Sequence, residues 1–277
     1  MIQKMKNKLI INVVALFLMT CHSSFKKSDP SIAIATVENV MQKEMILQAT
    51  KAKINENKVS EIQEKFDHNN FDNILKTYVT VDGRVDYAGI KAKKTLLTDY
   101  IAQFRTQYPD KSWSKQDLLA YYMNAYNAMT IDLIVSNYPL KSIKDLSDPW
   151  GQRNWKIGKE SISLEEIEHQ ILRTMGEPRI HFGINCASFS CPPLMNEAFN
   201  AVKVDQQLEH LAIKFINDEK RNKISKESVE VSKIFRWFKE DFTTNGDLIA
   251  FLNQYSRTAI SQNARVRYMD YNWELNE

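Results

Sequence analysis

Two cysteines five positions apart, Cys186 and Cys191, share the stretch Arg179-Ile-His-Phe-Gly-Ile-Asn-Cys-Ala-Ser-Phe-Ser-Cys-Pro-Pro-Leu194 with His181. Residues of these types support three kinds of chemistry. The first is thiol nucleophilic catalysis, in which a cysteine needs a base and a third group to orient that base. The second is a short-loop disulfide that stiffens the Cys-Pro-Pro turn of a binding groove. The third is a zinc site drawn from His169, His181, Cys186 and Cys191, with a Cys-x4-Cys spacing at the edge of the usual range. In a thiol enzyme Cys186 is the nucleophile and the histidine precedes it. His210, the one later histidine, points away from the apolar stripe of its helix. His169 and His181 are therefore the candidate bases, with Asn127 as the candidate orienter.

The alternation of Ile180, Phe182 and Ile184 predicts a strand with His181 and Asn185 on its other face. Fully extended, His181 and Cys186 would lie about 16 Å apart, so they meet only if the chain reverses near Gly183–Asn185. Asn185 then caps a short helical turn with Cys186 at its first position, where backbone dipoles favour a thiolate. Pro192 and Pro193 stop that turn.

The elements that must position this loop read as helices first. Ser114-x-x-Asp117 opens a helix over 118–135, most of it apolar, with Leu118, Tyr122, Tyr126, Met129 and Leu133 on one face. Asn124 and Asn127 fall within it on one side. A buried amide must be bonded. The pair therefore either ties down a neighbouring loop or binds substrate and orients a histidine. Asn124, Asn127, Asn185 and Cys191 are the candidate binding residues. Ser163-x-x-Glu166 opens a second helix over 164–175, with His169 at the border of its apolar face. Helices are also expected at 71–78, 96–104, 205–216 and 248–255, and strands at 229–235 and on both sides of Asp82-Gly83. Trp150, Trp155, Trp237 and Tyr271 are candidates to line a groove. The pattern predicts an α+β fold, helix-rich, with a small and mainly antiparallel sheet; a papain/transglutaminase-like arrangement is one form it could take.

Across 277 residues the net charge is +3 and glycines number seven. There is no glycine-rich phosphate loop and no basic stripe interleaved with aromatics. No cofactor and no nucleic-acid partner are expected. Lys4, Lys6 and Lys8 precede an apolar run over 9–20 that is too short to span a bilayer comfortably. It ends at Cys21, and the pattern resembles a bacterial lipoprotein signal. The expected organisation is a signal peptide over 1–20, a lipid-anchored tether with a helix over 21–70, and one domain over 71–277. The expected location is the cell envelope outside the cytoplasm, on the periplasmic side, with the membrane as a partner through lipidated Cys21. An unidentified peptide, glycan or protein is the expected ligand of the groove.

Six separated stretches resemble the DUF547 family, a bacterial and plant domain named for its unknown function. They are Tyr78–Ala88, Tyr122–Ala128, Ile162–His169, His181–Pro193, Val231–Phe242 and Tyr271–Asn276. The resemblance spans about residues 71–276 and implies one domain and no established activity. Gly183 stands where the family's motif leads one to expect alanine. If the N-terminal reading holds, Cys21→Ser releases the protein from membranes or leaves it unprocessed. Unchanged membrane fractionation and an unlipidated mature N-terminus would refute it.

Overall fold

The computed structural model describes residues 65–277. The signal peptide, Cys21 and the tether helix near 32–48 lie outside the described residues. Helix α4 (Lys115–Asn137) is the axis of the domain. Its 23 residues are capped by reciprocal Ser114–Asp117 bonds, and positions 119–121, 123–131 and 133–135 are all buried. A helix apolar on every side must be wrapped on every side. Leu118 and Tyr122, expected in the core, are only partly buried, while their neighbours Leu119, Tyr121 and Met123 are buried.

Helix α1 (Asn69–Tyr78) buries Phe71, Ile74 and Leu75 on the i, i+3, i+4 stripe. Helices α2 (Tyr87–Ala92) and α3 (Lys94–Gln103) follow and pack on α4. Asp82-Gly83 forms a turn closed by a single Val79–Val85 bridge. Gly83 has a φ of +85°, and a Cβ there would stand 2.5 Å from Pro193 Cβ. This turn therefore supports the Cys-Pro-Pro loop from one side. The hairpin β1 (Trp155–Ile157) and β2 (Glu160–Ile162) comes next, with Trp155 opposite Ile162.

The helix expected over 164–175 is a π-helix, Glu166–Leu172, continued by a 3-10 turn at Arg173–Met175. Its capping bonds between Ser163 and Glu166 are present. The strand expected at 180–184 is instead a helical turn, α5 (Ile180–Gly183). All four of its residues are buried, so no polar face exists to mark the period. A Cβ on Gly183 would meet Met123 Cε at 2.2 Å and Phe199 Cζ at 2.7 Å. That space is already filled by side chains from α4 and from the loop before α6 (Val204–Ile216).

A three-stranded sheet closes the other side: β3 (Lys223–Ile224), β4 (Ser228–Val231) and β5 (Arg265–Tyr268). β3 and β4 are antiparallel, while β4 and β5 are parallel. The strand expected over 229–235 ends at Val231 and gives way to α7 (Ile234–Trp237), then α8 (Lys239–Phe242) and α9 (Leu248–Tyr255). Helices with small, mainly antiparallel sheets make this an α+β fold. Among the described residues no helix is long and apolar enough to cross a membrane.

The two asparagines of α4 clamp backbone. Asn127 donates to Gly183 O at 2.9 Å and accepts from Asn185 N at 2.9 Å. Asn124 treats Phe199 in the same way, donating to its carbonyl at 2.8 Å and accepting from its amide at 2.9 Å. Each amide thus satisfies one buried donor and one buried acceptor of irregular chain. Asn127→Leu strands Gly183 O and Asn185 N, at a cost of roughly 1–3 kcal/mol for each group. A loss of about 2–5 kcal/mol in urea unfolding is expected. An unchanged midpoint would show that water replaces the amide.

Candidate functional site

Cys186 sits not in a helical turn but in an irregular loop. Asn185 Oδ1 accepts from Ala187 N at 2.8 Å, and its amide donates to Pro192 O at 2.8 Å. Asn185 therefore ties the two ends of the loop together rather than capping a helix. Ala187 carries a φ of 59°, a left-handed conformation that costs a non-glycine residue energy. No helix dipole acts on Cys186.

Both cysteines are free, with their sulfurs 3.2 Å apart. A disulfide needs about 2.04 Å, so the bond expected in the structural reading is not formed. The backbone N–H of Cys186 donates to Cys191 Sγ at 3.2 Å. Ser188 Oγ and the Tyr271 hydroxyl lie 3.1 and 3.4 Å from Cys186 Sγ. The hydrogen bond with Cys191, opposed by burial and helped by Ser188 and Tyr271, lowers the Cys186 thiol to about 6. Burial, then the adjacent Cys186 sulfur, pushes Cys191 well up. With Cys186 ionised, the shared proton belongs to Cys191. Burial also holds the Tyr271 hydroxyl far above its usual range, so it stays a donor.

Tyr271 arrives from the far end of the chain. Residues 271–276 run along the loop, with Tyr271, Trp273 and Leu275 turned inward and Asn272 and Glu274 outward. Phe189 N donates to Glu274 O at 2.7 Å, and Asn272 N donates to Ser190 Oγ at 2.8 Å. Asn276 accepts from Tyr87 OH at 2.7 Å and donates to Asn185 Oδ1 at 3.3 Å. This strap fixes the side of the loop opposite α4.

Cys186 and Cys191 open into a cavity of about 230 Å³ together with Tyr126, Glu168, His169 and His181. Its remaining wall is mostly aromatic: Trp150, Trp237, Phe238, Tyr271 and Trp273. Trp150, Trp237 and Tyr271 were legible as groove candidates. Trp155 instead belongs to the hairpin and donates to Asp132. The lining includes no lysine or arginine.

The histidines differ. His181 is 3% exposed and stacks on Phe238 at 4.0 Å. Its Nε2 lies 2.7 Å from Asp241 Oδ2. Burial opposes ionisation of Asp241, but the bonds from His181 and Arg173 outweigh it and hold the carboxyl well below its usual range. A carboxylate only accepts, so the His181 proton sits on Nε2 and Nδ1 keeps its lone pair. Burial, partly offset by Asp241, keeps His181 neutral near neutral pH. His169 lies exposed at the rim and accepts from Arg173 through Nδ1 at 2.8 Å. Arginine only donates, so the His169 proton is on Nε2. His210 is on the exposed face of α6.

Sequence reasoning missed Glu168 and Asp241. Glu168, within the π-helix, is 8% exposed, and Tyr126 OH donates to it at 3.1 Å. Burial is the main cause that raises its carboxyl to about 7, with a further push from Cys186. Asn127 does not orient a histidine by a hydrogen bond; both ends of its amide bond backbone. The zinc set is not assembled: among the described residues no three histidine, cysteine or acidic side chains converge as a metal site.

Glu168 gives a stability test. Its folded-state proton affinity is raised, so its contribution is full below the ordinary carboxyl value of 4.5 and is lost as pH rises through about 7. Glu168→Gln retains an acceptor for Tyr126 without the charge. It should match the wild type near pH 4 and exceed it by about 2–3 kcal/mol at pH 8.5. Equal denaturation midpoints at both pH values would mean that Glu168 is solvated.

No curated protein and no solved structure matches the chain. Residues 111–216, from just before α4 through the end of α6 and including both loop cysteines, match the model of the family described as "Protein of unknown function, DUF547".

Proposed function

We propose that the domain is a cysteine-dependent hydrolase or acyltransferase, with Cys186 as nucleophile and Glu168 as the proton carrier. The observation that carries this reading is a thiol with three neutral hydrogen-bonding neighbours, opening into the same cavity as a carboxyl held near neutrality. The Cys186 thiolate adds to an acyl carbon and expels the leaving group, which takes the Glu168 proton. A thioester remains on Cys186. Water or an amine then gives a proton to the Glu168 carboxylate and attacks the thioester, which returns the thiolate and releases the acyl product. The His181–Asp241–Arg173 chain braces the cavity wall, and His181 Nδ1 is left for a substrate hydrogen bond.

The aromatic wall favours a second reading, a groove that binds a flat apolar ligand of a peptide, glycan or protein without chemistry. Trp273 meets Tyr271 at 4.6 Å, Trp237 at 5.8 Å and Trp150 at 5.8 Å between ring centroids. In both readings the domain works in the cell envelope, held to a membrane through lipidated Cys21. The N-terminal sequence supports that placement.

The test is an uncharged activated aryl ester. A burst of one aryl leaving group per chain is expected, with the acyl mass on Cys186, and Cys186→Ala abolishes it. The steady-state rate rises as the Cys186 thiolate forms through about pH 6 and falls as Glu168 loses its proton through about pH 7. Glu168→Gln lowers kcat about 100-fold and removes the alkaline limb. An absent burst, with ligand binding that survives Cys186→Ala, would establish the binding module instead.

A further inference from the structure

In acyl transfer the part of Cys191 is to favour the Cys186 thiolate through one hydrogen bond, which a serine could also supply. Yet a second thiol is buried 3.2 Å from the nucleophile, within one six-residue loop. We propose that Cys186 and Cys191 form a redox dithiol that exchanges with small uncharged disulfides, Cys186 attacking and Cys191 resolving.

Access separates the two roles. Cys186 is half-buried and faces the cavity, while Cys191 is 6% exposed beneath it. An external disulfide therefore reaches Cys186 first. The thiolate attacks one sulfur of the disulfide, forming a mixed disulfide and expelling the other half as a thiolate. That thiolate takes the Cys191 proton and leaves as a thiol. The Cys191 thiolate then attacks Cys186 Sγ, the Cys186–Cys191 bond forms, and the second half leaves as a thiolate. The dithiol gives up two electrons, and one disulfide becomes two thiols.

The loop is held for this step. Arg221 Nε donates to Cys191 O at 2.9 Å and Arg221 Nη2 to Phe189 O at 2.7 Å. Asn185 holds Pro192 O at 2.8 Å. The sulfurs need close by only about 1 Å to bond. Once Cys186 is in the mixed disulfide it carries no charge, so its sulfur no longer adds to burial in keeping Cys191 protonated. The cavity lining has no lysine or arginine to attract an anionic disulfide, and its aromatic wall suits an uncharged one. None of these steps uses Glu168 or an acyl donor, so the exchange stands apart from acyl transfer.

The experiment treats the reduced full chain with hydroxyethyl disulfide, quenches with acid, and reads intact mass and a peptide map that separates Cys21 from the loop. The wild type should lose two hydrogens, with the bond mapped to Cys186–Cys191. Cys191→Ser and Cys191→Ala should instead accumulate a mixed disulfide on Cys186, with a lifetime about 100-fold longer than in the wild type. Cys186→Ser should leave Cys191 unmodified. A wild type that stops at a mixed disulfide would overturn the proposal. So would a loop that stays fully reduced, or Cys191 reacting without Cys186. If the variants fail to fold, the wild-type mass and map decide alone.

Discussion

The site depends on the Asn127 clamp. The loop that carries Cys186 leaves α5 at Ile184 and has no regular structure to satisfy its backbone. Buried amides and carbonyls without partners would make that loop too costly to keep. Asn127 supplies one acceptor and one donor from the interior of α4, where asparagine is a poor helix former. Asn124 does the same at Phe199. The helix gives up some intrinsic propensity, and two irregular segments are fixed to its buried middle. Asn185 and Asn276 continue the network to the outer side of the loop.

Fixing that backbone is what allows the proton affinities in the cavity to separate. Cys186 is lowered chiefly by the adjacent Cys191 thiol, without a cation in contact. Glu168 is raised chiefly by burial, because no cation pairs with it directly. Arg173, the nearest guanidinium in this network, is held by Asp241 at 2.7 Å. Had Arg173 paired with Glu168, the carboxyl would be an ordinary anion. The Arg173–Asp241 pair thus matters as much for where it keeps the positive charge as for its own attraction.

The sequence carried the helices and concealed the loop. The run Leu118–Val135, its Ser114–Asp117 cap and the Ser163–Glu166 box follow local rules of period and capping, and each stands in the structure. The alternation at Ile180–Ile184 misled because a turn buried on all sides has no polar face to report its period. His181 and Cys186 line one cavity because the chain coils at Ile180–Gly183 instead of extending. Glu168 was hidden differently: it falls four residues after Leu164 and four before Leu172, on the apolar face, but a lone glutamate in an acidic run carries no motif that marks it as a site. In the π-helix it is buried beside Tyr126, whose hydroxyl donates to it. Asp241 had no local signal, since its partners lie 60 and 68 residues away.

The C-terminal strap shows why such a site resists reading from any one motif. Tyr271 reaches Cys186 across 85 positions, and Asn276 reaches Asn185 across 91. The inward Tyr271, Trp273 and Leu275 alternate with outward Asn272 and Glu274, so the strap follows the period of a strand without belonging to the main sheet. Its two bridges, Ser188–Leu275 and Ser142–Glu274, join it to the cysteine loop and to the segment just after α4. Those contacts close long loops and form late if local helices form first. Until they form, Cys186 lacks the Tyr271 hydroxyl and the cavity lacks two of its aromatic walls. Cys186 therefore acquires its full set of hydrogen-bonding neighbours only when residues 271–276 have docked.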